Sequence, residues 1–472
     1  MDSLPFSPTL DNYLQIMNAA QASHDGQRCM IPPHPDLKKK IIEDLANFRR
    51  QYGDNVLFNR LIIGGEHRPG VNDGLIRPGN TFPLGTPLQV ARSSRSQQPL
   101  RGNLKVLVVL VDFSDAPMNT PKSHFDDLFF SLGQIPTGSV KEYYREVTNN
   151  LVDISGDVVG PYRLPAKLTD YANGASGMGT VLPNAQTMAK DAALAIGNAI
   201  NLQSYDNDGD GYVDAFIVVH AGTGAETTNN PNDIWSHKWL VEGGPYKPAG
   251  QLASIYGYLT VPEDCRLGVC AHELGHLLFG FPDLYDTTNA SEGIGDWCLM
   301  SSGSWNNNGL TPSHPSAWCK CNQQWVTITI PGANQAGLII PDVKTGFRVW
   351  KLWKGGNPGT EYFLLENRQQ AKFDQYNPGA GLLIWHVDDS VTDNSTKPHY
   401  RVALEQADGQ QDLEKNNNRG DAGDPYPGTT ANNNFTVATI PGSLSYGGVD
   451  SSVAVNNIQL SGSDIQCDIQ VV

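Results

Sequence analysis

Two histidines and a glutamate lie within one five-residue segment, His272-Glu273-Leu274-Gly275-His276. A helix brings residues four apart onto one face, so both imidazoles would point at one metal ion. Catalytic zinc has three protein ligands and a water, and Glu273 is placed to be the general base for that water. Residues 269–279 are otherwise mostly apolar. Burying ionisable groups on such a helix costs free energy unless they are paired or bind a metal. The segment predicts a zinc site with His272 and His276 as ligands.

The third zinc ligand is expected just after this helix. Gly280 would end the helix and Pro282 would prevent its continuation, so the chain must turn there. The pattern is similar to that of zincins with the motif His-Glu-x-x-His-x-x-Gly-x-x-(His/Asp), but here the glycine comes one residue later. Asp283 is the predicted third ligand, and Asp286 and Glu292 are the alternatives.

An acidic loop between residues 206 and 214 predicts a calcium site. Carboxylates alternate along it, at Asp206, Asp208, Asp210 and finally Asp214, and such hard oxygen ligands suit calcium. The loop is not an EF-hand, because Ile217 stands where the twelfth-position glutamate belongs. A turn without metal is the alternative.

A weaker calcium candidate lies in residues 420–428. Asp421 and Asp424 occur there, near Asp388, Asp389 and Asp408, but turn-forming residues alone would also explain this segment.

The chain has seven cysteines, an odd number, and Cys29 stands apart from the others in the lead segment. Residues 27–33 read Gln-Arg-Cys-Met-Ile-Pro-Pro, which resembles the cysteine switch of matrix metalloproteases, where a thiolate occupies the open position of zinc. Cys29 is therefore a candidate latency thiol. The alternatives are a disulfide or a packed thiol for Cys29, and reduced thiols throughout.

The pattern of elements predicts an α+β fold with three regions. Residues 1–97 form a lead segment with one helix at 36–52, followed by a Gly/Pro-rich stretch at 64–87 and a polar run at 91–98. Residues 98–331 alternate buried strands and helices, as expected of a zincin-like catalytic domain with a mixed sheet. Residues 332–472 contain short alternating runs, which predict a mainly β, sandwich-like region.

The predicted strands of the catalytic region cover residues 104–111 and 215–220, and its helices cover 139–147, 184–200 and 263–279. Strands predicted in the C-terminal region cover residues 347–353, 362–366, 381–387, 399–404 and 465–472.

The net charge of −16 argues against a nucleic-acid partner, because phosphate binding needs clustered Lys and Arg. No apolar run is long enough to span a bilayer, and no signal peptide is visible at the start of the sequence. We expect a monomer.

An ordered series of motifs resembles the M6 family of metallopeptidases, the immune inhibitor A type. The matching segments are residues 106–115, 139–146, 205–214, 234–239, 272–286, 295–300 and 381–388. The resemblance covers roughly residues 100 to 430 and implies a secreted, protein-cleaving enzyme made with a pro-segment. The alternatives are a calcium-stabilised adhesion or binding protein with a vestigial zinc site, and a zinc hydrolase acting on a non-peptide ester or amide.

Overall fold

The computed structural model describes residues 7–22, 28–52, 99–391, 393–395 and 397–472. The stretches 64–87 and 91–98, singled out in the sequence, lie outside these residues. No helix in the described part of the chain is long and apolar enough to cross a bilayer.

The helices are α1 Pro8–Ala22, α2 Pro35–Tyr52, α3 Lys122–Phe130, α4 Val140–Val147, α5 Leu168–Ala172, α6 Ala185–Ile196, α7 Ala225–Thr228, α8 Leu267–Phe279, α9 Ala317–Asn322, α10 Val343–Gly346 and α11 Asp412–Lys415. The strands are β1 Cys29–Met30, β2 Gly102–Asp112, β3 Val152–Arg163, β4 Phe216–His220, β5 His237–Leu240, β6 Gly257–Pro262, β7 Thr327–Thr329, β8 Gln335–Ile340, β9 Arg348–Leu352, β10 Glu361–Arg368, β11 Gly381–Asp388, β12 Val402–Leu404, β13 Ala454–Ser461 and β14 Asp464–Gln470. Short 3-10 helices cover Leu202–Tyr205, Gly295–Trp297, Ser302–Trp305, Lys354–Gly356 and Lys372–Tyr376. Helices and sheets are thus mixed along the chain, as predicted.

The chain divides into two compact units. The first contains the residues up to Glu142 together with Val152–Pro282, and the second contains Tyr143–Leu151 together with Asp283–Val472. The predicted region boundaries after residues 97 and 331 follow composition rather than compactness, and they stay a prediction.

A six-stranded sheet organises the first unit, in the order β1-β5-β6-β4-β2-β3. Strands β3, β2, β4 and β6 run parallel, whereas β5 is antiparallel to β6 and β1 is antiparallel to β5. The interior strands β4 and β6 are buried along their whole length. Continuous apolar runs are expected for parallel strands that are covered on both faces.

Helix α8 begins later than its apolar pattern predicts, at Leu267 instead of residue 263. The Glu263 carboxylate accepts backbone N–H groups from Asn119 at 2.8 Å, Thr120 at 3.0 Å and Gly222 at 3.1 Å. These bonds hold Glu263 in the loop before the helix, because three donors would lose their acceptor if it entered the first turn.

Two sheets build the second unit, one of five strands in the order β12-β11-β10-β9-β7 and one of three in the order β13-β14-β8. Both contribute to one buried apolar cluster, with Trp350, Phe363 and Ile384 from the larger sheet and Val455 and Ile465 from the smaller. The predicted β-rich character of this part of the chain agrees with these strands, and its sandwich-like arrangement stays a prediction.

A fully buried ionic network lies beneath the larger sheet of the second unit. Arg368 contacts Asp374 through two hydrogen bonds, and Lys344 Nζ lies 3.2 Å from the Asp374 carboxylate. Burial alone would raise the pKa of Asp374, but Arg368, His314 and Lys344 hold it well below its usual value. Its ionised form therefore stabilises the fold at neutral pH.

We expect Asp374→Asn to destabilise the protein by about 3–5 kcal/mol at pH 7, because it leaves buried cations under-compensated. Since the folded pKa is depressed, the wild-type carboxylate contributes fully above its unfolded pKa of about 3.9, and this contribution is lost as the pH falls through the lower folded value. Urea unfolding from neutral to acidic pH measures both effects. Asp126→Asn, which breaks the exposed Lys122–Asp126 pair, is the matched control and should cost less than about 1 kcal/mol. Equal losses in the two variants would contradict this role.

Candidate metal centre

Helix α8 carries the candidate metal ligands inside the first unit, where it packs against β6, β5 and β1. All thirteen of its residues are buried. Gly280 ends the helix in a left-handed conformation, with φ at 65°, and the Gly280 and Phe281 N–H groups donate to His276 and Gly275 carbonyls. This is the glycine-dependent helix end that the sequence predicts.

His272 and His276 bring their Nε2 atoms to 3.0 Å from each other, with the two rings nearly perpendicular. Two nitrogens bound to one tetrahedral zinc at 2.0–2.1 Å are about 3.3 Å apart, so these residues fit a shared zinc. The His276 Nδ1–H donates to the Phe281 carbonyl at 2.5 Å. Because that bond keeps the proton on Nδ1, the Nε2 atom can act as a ligand.

Glu273 follows His272 directly on α8, and its side chain is fully buried. Its place beside the two converging imidazoles is the one expected of a general base that acts on a metal-bound water.

Asp283 is the first residue of the second unit, three residues after the glycine that ends α8. Of the two alternatives, Asp286 has its carboxylate engaged within its own loop. The Asp286 carboxylate accepts hydrogen bonds from Thr288 and Ser291, and Glu292 is buried with its N–H bonded to the Leu413 carbonyl.

Cys29 lies close to the metal helix, although it is more than two hundred residues away along the chain. Its Sγ atom and a ring nitrogen of His276 lie within 4.8 Å of each other. Cys29 pairs with Lys238 across β1 and β5, and Lys238 Nζ donates to the Cys29 thiol over 3.9 Å. All three side chains are buried. Lys238 lies in the 234–239 motif but was not among the predicted site residues.

The lead segment around Cys29 is held against the rest of the first unit by several contacts. The Arg28 guanidinium lies 5.0 Å over the Trp239 ring and donates to the Met178 carbonyl. The Trp235 indole N–H donates to the Ile31 carbonyl at 2.9 Å. These contacts place an extended segment along β5, where it forms the edge strand β1 of the sheet, next to the helix that carries the histidines.

The predicted calcium loop brings three of its four carboxylates together. Asp206, Asp208 and Asp210 each offer an oxygen within 4.8 Å of the others, and the buried Asp206 Oδ1 has no hydrogen-bond partner in this loop. The Asp214 Oδ2 atom instead accepts from the Asn207 backbone and side chain, at 2.6 and 3.0 Å. Burial and the nearby Asp208 raise the pKa of Asp214 to about 7.

A comparison with protein families matches residues 95–334 to the immune inhibitor A peptidase M6 catalytic domain. The chain belongs to the M6 peptidase family. This match spans β2 to β7 and includes α8 with all three residues of the His-Glu-x-x-His motif.

Two curated proteins are similar to this M6 chain, and one of them is a metalloprotease by name. The pre-pro-metalloprotease PrtV of Vibrio cholerae is 32% identical over 305 residues, which cover 53% of this chain and 33% of the relative. Immune inhibitor A of Bacillus thuringiensis subsp. alesti is 29% identical over 308 residues, which cover 54% of this chain and 44% of the relative. The aligned part therefore spans less than half the length of either relative.

Proposed function

We propose that the protein is a zinc-dependent endopeptidase that hydrolyses peptide bonds in proteins. The observation that carries this proposal is the convergence of the His272 and His276 Nε2 atoms to 3.0 Å on a buried helix. Bound zinc would polarise the scissile carbonyl and lower the pKa of a coordinated water. The family membership supports the same reaction class.

Glu273 would accept a proton from the attacking water and deliver it to the leaving amine. Its burial on α8 keeps bulk water from competing for that proton. Once β1 has left the sheet, β5 would be its edge strand and would bind an extended substrate by antiparallel pairing, as it binds β1. Backbone pairing of this kind depends little on side chains, which is compatible with broad specificity.

We propose Asp283 as the third zinc ligand. It lies two residues after Phe281, whose carbonyl accepts a hydrogen bond from the His276 ring. Two residues span at most about 7 Å. Its carboxylate can therefore reach the metal from the exit turn, even with one extra residue before Gly280.

Asp283→Ala is expected to weaken zinc affinity by more than ~100-fold, since loss of an outer-shell partner alone costs ~10–100-fold. Zinc content after dialysis against a competing chelator measures this effect. Asp286→Ala and Glu292→Ala are the matched variants and should retain zinc. If one of these loses zinc while Asp283→Ala keeps it, that residue is the third ligand.

We propose that calcium binds at Asp206, Asp208 and Asp210 and stabilises the first unit. Their oxygens are hard ligands and converge within 4.8 Å. Asp214 would support the loop through Asn207 rather than close the site.

We also propose that the protein is secreted and that it is made as a latent precursor. PrtV is a pre-pro-metalloprotease by name, and the Cys29 Sγ atom lies within 4.8 Å of a ring nitrogen of His276. In the latent form the Cys29 thiolate would take the open position of the metal, with the Lys238 ammonium beside it.

Cleavage of casein or gelatin, with and without a zinc chelator, tests the proposed function. We expect a chelator to abolish cleavage and added zinc to restore it, because the nucleophile depends on the metal. Zinc binding without cleavage by a processed protein would favour the adhesion or binding protein. Cleavage of simple esters but not of proteins would favour the non-peptide hydrolase. Cleavage that survives complete zinc removal would rule out a metallopeptidase.

A further inference from the structure

Three carboxylates of the second unit converge in the connection that follows β12. Asp408, Asp421 and Asp424 each offer an oxygen, and these oxygens lie within 4.8 Å of one another. They are far along the chain from the histidines of α8 and contain only oxygen ligands, so their chemistry differs from that of the zinc motif.

The three side chains are held in place by neutral donors. Asp424 Oδ2 accepts from the Trp297 indole at 2.9 Å and from the Asp421 N–H at 3.0 Å. Asp421 Oδ1 accepts from the Gly423 N–H at 2.7 Å, and Asp408 accepts from Gln410. Among the described residues, no lysine or arginine forms an ion pair with any of the three. No cationic side chain within ion-pair distance therefore offsets the charge of these carboxylates in the described part of the chain.

One oxygen in the cluster has no partner. Asp424 is 1% exposed, and its Oδ1 atom is buried without a hydrogen bond among the described residues. A buried acceptor left unsatisfied costs free energy, so such an atom usually meets a water or an ion. Burial raises the pKa of Asp424 to about 7. The hydrogen bond from Trp297 opposes this shift, and the charges of Asp421 and Asp408 add to it.

Gly423 allows the carboxylates to approach the backbone closely. A Cβ atom at this position would lie 2.3 Å from Asp408 Oδ2 and 2.9 Å from Asp421 Oδ1. Any other residue would push these oxygens apart. A methyl group at position 423 would therefore change the spacing of these two carboxylates without changing the charge.

We propose that Asp408, Asp421 and Asp424 bind a divalent cation of the calcium class, at a second site separate from the Asp206 loop. Carboxylate oxygens at this spacing suit a hard ion, and Asp424 Oδ1 supplies the ligand atom that lacks another partner.

The cation would fix a long loop onto its neighbours within the second unit. Next to the cluster, Tyr426 exchanges two backbone hydrogen bonds with Leu382 of β11, both at 2.9 Å. On the other side, the Asp296 N–H donates to the Arg419 carbonyl at 2.7 Å. Binding would thereby tie the loop to β11 and to the Gly295–Trp297 helix, and it would raise stability with the logarithm of the ion concentration above the dissociation constant.

Calcium binding to the full chain tests this site. The probes are Ca²⁺ in equilibrium dialysis and Tb³⁺ luminescence sensitised through tryptophan, since Trp297 bonds directly to Asp424. The background is Asp208→Asn with Asp210→Asn, which disables the Asp206 loop. In this background we expect one remaining calcium equivalent, sensitised Tb³⁺ emission, and a calcium-dependent rise in Tm.

Adding Asp421→Asn should weaken that remaining equivalent at least ~100-fold and remove the Tm rise. Asp450→Asn, which removes an acidic group elsewhere in the second unit, is the control and should keep both. Gly423→Ala provides a second route, since its methyl group closes the site without changing charge. The proposal is overturned if the background protein binds no calcium, or if Asp421→Asn and Gly423→Ala bind it as tightly as the background.

Discussion

Glu273→Gln is expected to abolish protein cleavage while zinc stays bound. The substituted amide would keep the size and burial of the side chain but could not accept the proton of the attacking water. General-base catalysis contributes ~10²–10⁴-fold, so kcat/KM for a quenched peptide substrate should fall by about that factor. Zinc content should be unchanged, because Glu273 is not one of the proposed ligands.

The matched control is Glu226→Gln, since Glu226 is also fully buried in the first unit. Its carboxylate accepts hydrogen bonds from Ser236 and does not belong to the proposed site. Burial raises the pKa of Glu226 to about 7, so the uncharged amide resembles its protonated form and activity should persist. Loss of zinc in Glu273→Gln would indicate a structural role instead, and full activity would assign the base elsewhere.

Cys29→Ala is expected to raise the activity of the intact chain at least ~10-fold. The thiol lies within 4.8 Å of a His276 ring nitrogen, and a thiolate ligand would exclude the water that the reaction consumes. Without it, the pairing of β1 with β5 and the contacts of Arg28 and Ile31 would still keep substrate from β5. Hydrolysis of a short quenched peptide, with the chain shown to be uncut by mass spectrometry, measures this increase.

Cys467→Ala is the matched control, because Cys467 is a buried thiol of the second unit and should leave latency unchanged. The double variant Cys29→Ala with Glu273→Gln should be inactive. This control shows that the activity of Cys29→Ala comes from the protein's own site and not from a contaminating protease. If intact wild type and Cys29→Ala have equal activity, Cys29 is a packed thiol and not a latency device.

The local sequence predicted the elements that carry a strong periodic signal. The apolar run at 104–111 became the centre of β2 and the lead-segment helix 36–52 became α2, each within two residues. The helix predicted at 184–200 ends at Ile196, because Gly197 leaves the helical conformation. Such boundaries depend on single residues that a periodic pattern does not resolve.

Contacts between distant segments were not predictable in the same way. Strand β1 has only two residues, which is too short for an alternating pattern, and its partner β5 begins at His237. The bond between the His276 ring and the Phe281 carbonyl likewise depends on the geometry of the exit turn. The spacing of the histidines predicts the metal helix from local sequence. The position of Lys238 beside Cys29 depends on the pairing of β1 with β5, which local sequence does not predict.

The two-residue pairing of β1 with β5 also affects how latency would end. While the lead segment is joined to the rest of the chain, the binding of β1 to β5 is intramolecular and does not depend on the protein concentration. A cut in the chain between α2 and β2 would leave every contact of β1 in place but would remove the tether. The released segment would then dissociate on dilution, so the onset of activity after such a cut would depend on the total protein concentration.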